Sequence, residues 1–89
     1  MSRIQRIRQK IIDRKYYLSS HAEEEMYDDK IERIDIENVI LKGRIDKKLS
    51  EDIRGVRYRI RGYSKDGRQM HIICRFKEDD NLIIITASH

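Results

Sequence analysis

Apolar and basic residues alternate strictly over residues 56–63, and this alternation constrains the fold more than any other feature of the chain. The apolar residues are Val56, Tyr58 and Ile60, and the basic residues are Arg57, Arg59 and Arg61. Because successive side chains of a β-strand point to opposite faces, the pattern predicts a strand with one apolar face and one cationic face.

The same alternation returns over residues 70–77, after a segment that contains the dipeptide Asp66-Gly67. Asp-Gly between two alternating stretches is a strong signal for a β-hairpin. Pairing the two strands would gather their polar side chains on one face of the hairpin. That face would carry Arg57, Arg59, Arg61, His71, Arg75 and Lys77. The sequence therefore predicts a dense cationic surface that contains one titratable imidazole.

The N-terminal segment, from Arg3 to about Lys15, has isoleucines at helical spacing and basic residues on its other faces. The isoleucines are Ile4, Ile7, Ile11 and Ile12. This predicts a short basic amphipathic helix. It could pack on the sheet, follow a nucleic-acid backbone or be covered by a partner, and packing is favoured.

Two further helices are expected. Ser20 with Glu23 matches a capping box and predicts a helix to about Asp29. Asp35 is the expected N-cap of a helix over residues 36–42, with Gly43 just after its end. Within that helix Ile36, Val39 and Ile40 are expected to face the core.

The remaining segments complete the expected fold. Residues 16–19 look extended, residues 44–49 are typical of an edge strand, and residues 50–55 form a polar loop. The apolar run of residues 82–87 is typical of a central strand buried on both faces. We expect one α+β domain over residues 1–89, with N-terminal helices on one face of a four-stranded, mainly antiparallel sheet.

Composition narrows the possible classes of protein. The chain has 89 residues, a net charge of +4 and 40% charged residues, so it has one thin core. A single cysteine, Cys74, excludes an internal disulfide, and its expected inward position favours a core role over a nucleophilic one. The longest apolar run is too short to cross a membrane, and the N-terminus lacks an apolar signal core, so we expect a cytoplasmic protein. No cofactor is expected, since neither a phosphate-binding glycine loop nor a strong metal motif is present.

Charge is unevenly distributed: residues 1–15 and 44–89 are basic, and residues 16–43 are acidic. Basic surfaces attract polyanions such as RNA, although charge runs more often form solvated faces. A pocket of His and Arg residues can cleave RNA without a metal ion, because an imidazole can move the protons and cations stabilise the phosphorane. His21 at a helix start and His71 among the strand arginines make such a set conceivable.

Several motifs resemble the family known as domain of unknown function 4258. They are the Ser-His-Ala helix of residues 20–31, the second helix at 35–39, and the strand motifs at 54–62, 66–68 and 84–87. The resemblance covers about residues 16–88. That family is similar to the RelE and MqsR mRNA-cleaving toxins, so the resemblance implies a RelE-like ribonuclease fold. It also implies a cognate antitoxin, often one with a zinc-finger domain.

The resemblance also implies site positions for individual residues. Positions that are polar in the family correspond to His21, Arg57, Tyr58 and Thr86. His71 and Arg75 are added because the predicted strands place them on the same face as the arginines. Many members have arginine where this chain has Glu25 and Asp29, so either RNA cleavage is lost or Glu25 becomes a candidate base.

Three functional hypotheses follow. The first is a toxin-like, metal-independent endoribonuclease of a toxin–antitoxin pair that cleaves mRNA by 2′-hydroxyl attack. Its candidate catalytic residues are His21, Arg57, Tyr58, Glu25 and Thr86, and its candidate RNA-binding residues are Arg59, Arg61, His71 and Arg75. The second is a non-catalytic module that binds RNA or an acidic protein partner. The third is a domain that assembles through its first helix, for example as a homodimer.

Overall fold

Three helices and five strands make up the computed structural model, which describes residues 1–50, 53 and 55–89. The elements are α1 (Arg3–Ile12), β1 (Tyr16–Leu18), α2 (Ser20–Asp29), α3 (Arg33–Lys42), β2 (Arg44–Leu49), β3 (Arg57–Tyr63), β4 (Gln69–Phe76) and β5 (Leu82–Ser88). The strands form one sheet in the order β1-β5-β4-β3-β2. Arg54, which begins one of the family-like motifs, lies outside the described residues, as does part of the expected 50–55 loop.

The expected hairpin is confirmed. β3 and β4 pair antiparallel, with Arg61 opposite His71 and Tyr58 opposite Cys74. Their turn is closed by a hydrogen bond from the N–H of Ser64 to the carbonyl of Arg68, at 2.8 Å. Gly67 in this turn has φ +89°, a conformation that glycine adopts without steric cost. β2, β3, β4 and β5 therefore form the predicted antiparallel meander.

The expected count of four strands is wrong, because residues 16–18 form a fifth strand. β1 pairs parallel with β5, from Tyr16 opposite Leu82 to Leu18 opposite Ile84. Residues 16–19 look extended in the sequence, but three residues are too few to show an alternation. The parallel partner lies far away in the sequence, so the local pattern does not reveal the pairing with β5. The α+β class is confirmed, and the sheet is mixed.

The core lies between the helices and one face of the sheet. Ile36, Val39 and Ile40 of α3 are fully buried, as the sequence predicts, and they join Ile60 and Ile72 of the sheet. Cys74 is also buried in this core, and burial raises the pKa of its thiol to about 12. The basic helix α1 packs through Ile7 and Ile11, but it ends at Ile12, whose side chain is exposed.

Both later helices begin earlier than the sequence predicts. The hydroxyl of Ser19, not that of Ser20, accepts the capping hydrogen bond from the N–H of Ala22. α3 begins after Glu32, and Asp35 lies one turn inside it, where its carboxylate accepts a hydrogen bond from the N–H of Glu32 at 2.9 Å. Adjacent serines and acids offer alternative caps of similar strength, so the sequence alone does not choose between them.

β5 is not buried on both faces. Leu82, Ile84 and Ala87 are buried against the helices, whereas Ile83 and Thr86 are only half-buried on the other face. A register shift opposite Ile73 and Cys74 breaks the simple alternation along β5. In the described part of the chain, the face of the sheet opposite the helices therefore extends without a covering layer from β5 to β2.

Candidate nucleic-acid interface

The uncovered face of the sheet is rich in cations, and it is here called the arginine face. Residues directly opposite one another in paired strands share a face, so the register assigns its members. They are Arg44, Lys47, Arg57, Arg59, Arg61, His71, Arg75 and Thr86. Alternate residues of a strand are about 6.6 Å apart, so the charges are regularly spaced.

Two rows of side chains cross the arginine face from strand to strand. In one row Arg61 lies opposite His71, and His71 lies opposite Ser88. In the next row Arg59 lies opposite Ile73, which lies opposite Thr86. Side chains directly opposite each other have Cβ atoms about 5 Å apart, so His71 is within reach of the Arg61 guanidinium. The structure thus places His71 beside Arg61, and Thr86 on the same face two strands from Arg59.

A carboxylate that the sequence patterns did not single out lies within this group. Asp46 is at an irregularity of β2, where the pairing with β3 shifts between Ile45 and Lys47. Its two oxygens accept hydrogen bonds from Nε and Nη2 of Arg59, both at 2.9 Å. Nε of Arg61 is 3.4 Å from the same carboxylate. One acid therefore partly neutralises two of the arginines.

The charges around Asp46 change its acidity. Hydrogen bonding from Arg59, with smaller contributions from the charges of Arg59, Arg61 and His71, lowers the pKa of the Asp46 carboxyl below its ordinary value. The same pair raises the pKa of Arg59. Asp46 is consequently ionised near neutral pH and acts as a fixed negative charge in the arginine face.

Arg57 and Arg75 extend the arginine face toward the β4–β5 turn. Arg57 lies beside Leu49 of β2, at a small surface pocket of about 180 Å³. Its Nε is buried and has no hydrogen-bond partner among the described residues. Arg75 lies opposite Ile83 and is half-buried. Apolar side chains thus alternate with cations in this part of the face.

Lys77, the last member of the predicted cationic set, stacks over an aromatic ring. Its Nζ is 4.5 Å from the centre of the Tyr17 ring, and Tyr17 lies opposite Ile83. Such a contact leaves the ammonium accessible while the ring fixes its position. The cationic surface therefore continues to the β1 edge of the sheet.

His21 and Glu25 lie elsewhere, along the outer edge of β5. Nε2 of His21 is 3.2 Å from Oε1 of Glu25, and that oxygen accepts a hydrogen bond from the N–H of Ala87 at 3.1 Å. Because β4 and β5 each add about 4.8 Å, the outer edge of β5 is about 10 Å or more from β3. The structure does not bring His21 into contact with Arg57, Arg59 or Arg61 in the part of the chain it describes.

Tyr58 points to the opposite face of the sheet from Arg57. It is buried in the core, and the guanidinium of Arg3 lies over its ring at 5.5 Å from the centre. Its side chain is therefore separated by the sheet from the cations of the arginine face. Of the five candidate catalytic residues, Arg57 and Thr86 lie on that face, and His21, Glu25 and Tyr58 do not.

Sequence patterns alone missed Asp46, Arg44 and Lys47. The edge strand was expected, but a bulge inserts one residue and changes which side chains face the arginines. One sequence signal could have identified Asp46. It is an acid next to two lysines in a strand that pairs with an arginine-rich strand, since opposite charges favour cross-strand pairing. Without the register of β2 against β3, that signal does not say which face Asp46 takes.

The described residues were also compared with the requirements of a metal site and of a membrane-spanning helix. Within residues 1–50, 53 and 55–89, no three His, Cys, Asp or Glu side chains are grouped closely enough to hold a metal ion. No helix in the described ranges is both long enough and apolar enough to pass through a lipid bilayer.

Comparison with known proteins identifies the family. The family model described as Domain of unknown function (DUF4258) matches residues 18–89. No curated protein and no solved structure matches the chain. The matched range is close to the residues 16–88 over which the sequence motifs resemble this family. Since the match covers well over half of the sequence, the chain belongs to the DUF4258 family.

Proposed function

We propose that this chain is a toxin-like endoribonuclease that binds RNA on the arginine face and cleaves it without a metal ion. The observation that carries the proposal is the adjacency of Arg61 and His71 in paired strands, with Arg59 in the next row. An imidazole beside guanidinium groups combines a proton carrier with cations, as cleavage of a phosphodiester requires. The motifs that resemble the DUF4258 family also support it, because that family is similar to the RelE and MqsR toxins.

The spacing of the cations supports binding of an extended polyanion. Cationic side chains recur at every second residue of β3, and further cations flank them on β2 and β4. Guanidinium groups bind phosphate oxygens in a planar, two-point geometry. A strand of RNA lying across these rows would place successive phosphates against successive arginines, and its affinity would fall with added salt.

The proposed chemistry assigns the proton transfer to His71. The neutral imidazole would accept the proton of a 2′-hydroxyl, and the 2′-oxygen would attack the adjacent phosphorus. Arg61 and Arg59 would stabilise the charge of the phosphorane. The bond to the 5′-oxygen then breaks, and that oxygen takes the proton from the imidazolium. The products are a cyclic 2′,3′-phosphate and a 5′-hydroxyl, with His71 regenerated.

His21 has a different place in this proposal. Its contact with Glu25 and its distance from β3 favour a local role at the end of β5 rather than proton transfer to RNA. The expectation that His21 is the acid or base is therefore replaced by His71. Thr86, in the Arg59 row, remains a candidate for a hydrogen bond to the RNA.

A second candidate function is capture of an acidic protein partner without turnover. Apolar side chains among the cations favour it, since protein interfaces combine apolar contacts with charge complementarity. Those residues are Leu49, Ile73 and Ile83. A cognate antitoxin, with or without a zinc-finger domain, would cover the same face and thereby block RNA. A homodimer through α1 is an alternative assembly.

RNA cleavage in EDTA tests the proposal. Purified protein is incubated with a labelled RNA oligonucleotide, alongside His71→Ala, Arg59→Gln, His21→Ala and the control Lys65→Gln, an exposed cation of the hairpin turn. We expect the rate to fall about 100-fold in His71→Ala, as loss of an acid–base group does. His21→Ala and Lys65→Gln should stay close to the parent.

Three results would contradict this assignment. Equal cleavage by the parent and His71→Ala would remove His71 from the mechanism. A loss of cleavage in His21→Ala alone would return the reaction to the β5 edge. Salt-sensitive binding with intact RNA after long incubation would favour the non-catalytic module instead.

A further inference from the structure

Asp46 occupies a position that a phosphate group would be expected to take. Its carboxylate faces the Arg59 guanidinium in a two-point contact, with both N–O distances at 2.9 Å. This is the geometry in which arginine also binds phosphate oxygens. Asp46 lies at the irregularity of β2, between Ile45, which is opposite Ile60, and Lys47, which is opposite Arg59.

The contact with Arg61 is much less complete. Nε of Arg61 is 3.4 Å from Oδ2 of Asp46 and has no hydrogen-bond partner among residues 1–50, 53 and 55–89, although that nitrogen is buried. Its side chain is 42% exposed, compared with 24% for Arg59. Arg61 therefore has hydrogen-bonding capacity that one carboxylate shared with Arg59 does not satisfy.

We propose that the Asp46 carboxylate is an internal occupant of a phosphate-binding site formed by Arg59 and Arg61, and that a phosphate of bound RNA displaces it. The inference deepens the proposed function, because it names the site and the competitor that sets its affinity. A tetrahedral phosphate has more acceptor oxygens than a carboxylate, so it can satisfy both guanidinium groups together. Asp46 lowers RNA affinity by holding one cationic site in a neutralised state.

The substitution Asp46→Asn tests the inference directly. Asparagine has nearly the same shape but no charge, so the two arginines become available to an anion. One additional neutralised phosphate on single-stranded RNA makes the slope of log affinity against log salt steeper by about 0.7. The same salt relation gives binding that is about fivefold tighter at 0.1 M salt. Fluorescence anisotropy with a labelled single-stranded RNA in EDTA measures both quantities.

The matched control is Glu24→Gln, which changes the net charge equally at an exposed position of α2. We expect it to change the affinity and the salt slope less than Asp46→Asn does. A second variant, Asp46→Ser, removes the charge with a smaller side chain in case the amide alters the bulge. Urea unfolding of each variant verifies that it is folded under the binding conditions.

A separate arm uses inorganic phosphate, followed by NMR of the arginine Nε–Hε groups. In Asp46→Asn, the NMR signals of Arg59 and Arg61 should shift at a lower phosphate concentration than in the parent chain. If RNA binds neither chain but this phosphate shift occurs, Asp46 still occupies a phosphate-binding site of Arg59 and Arg61, whereas its displacement by RNA and the proposed function both fail. If Asp46→Asn binds RNA and phosphate no more tightly than the parent, or no more than Glu24→Gln does, the inference is overturned.

Discussion

The N–H of Ala87 donates a hydrogen bond to Oε1 of Glu25 at 3.1 Å, and this bond joins α2 to β5 beyond the end of β1. β1 pairs with β5 only as far as Ile84. The hydroxyl of Ser19 continues the contact by donating to the carbonyl of Ile85 at 2.9 Å. Side chains of α2 and its cap therefore satisfy backbone groups of β5 that no neighbouring strand reaches.

Replacing Glu25 should destabilise the fold through this contact. Glu25→Ala leaves the Ala87 N–H without its acceptor, so we expect the free energy of unfolding to fall by about 1–2 kcal/mol. Glu25→Gln keeps an oxygen acceptor and should cost less. Urea unfolding measures both. Equal stability of Glu25→Ala and the parent would show that the N–H finds another acceptor, and α2 would not depend on this bond.

Arg8 should stabilise the end of α3. Its Nε and Nη2 donate to the carbonyls of Ile40 and Gly43, at 3.1 and 2.7 Å. The last carbonyls of a helix have no partner within it and carry partial negative charge. We expect Arg8→Ala to lower the free energy of unfolding by about 2 kcal/mol, the scale of charged hydrogen bonds.

Arg8→Lys is the matched comparison, because it keeps the positive charge but cannot reproduce the two-point contact. It should lie between the parent and Arg8→Ala in urea unfolding. If Arg8→Lys is as stable as the parent, charge alone accounts for the effect, and the two hydrogen bonds add nothing measurable.

The Asp46–Arg59 pair should make stability depend on pH in the acidic range. The pKa of Asp46 is lowered in the folded chain by Arg59, and also by Arg61 and His71. Its contribution is therefore fully present above the ordinary aspartate pKa of about 4 and is lost as pH falls further. The stability difference between the parent and Asp46→Asn should be largest near pH 7 and shrink toward pH 2. A difference that does not vary with pH would contradict this.

The hairpin and the arginine face could be predicted because they depend on local alternation. Residues 56–63 and 70–77 fix which side chains share a face once strands are assumed, so Arg59, Arg61 and His71 were grouped correctly. Residues 16–19 look extended in the sequence, but the parallel pairing of β1 with β5 could not be predicted, because it joins residues that are 66 positions apart, such as Tyr16 and Leu82. A three-residue strand contains no period that a sequence pattern can reveal.

Gly43 shows why a correct local signal can have a different cause. The sequence has Gly43 just after the expected end of a helix, where glycine commonly adopts a left-handed conformation. Its φ is instead −83°, which any residue can adopt. A Cβ at this position would collide with the carbonyl oxygens of Arg61 and Val39. The glycine is required by the close approach of α3 to β3, which only the tertiary structure reveals.

The separation of His21 from the arginines has a similar origin. Sequence order does not say on which side of β5 the helix α2 lies, so a pocket containing both remained open. The Glu25–Ala87 contact places α2 at the sheet edge, whereas His71 lies opposite Arg61. The choice between two histidines therefore depends on the topology and not on their local motifs.

Mapping an RNA titration onto the backbone amides by NMR shows directly which face of the sheet RNA contacts. We expect the largest shift changes in β3, β4 and β5, centred on Arg59, Arg61, His71 and Thr86, with α1 and α3 little affected. These changes should weaken as salt is added. Changes confined to the basic helix α1, or none at RNA concentrations that saturate binding in anisotropy, would contradict the assignment of the arginine face as the RNA site.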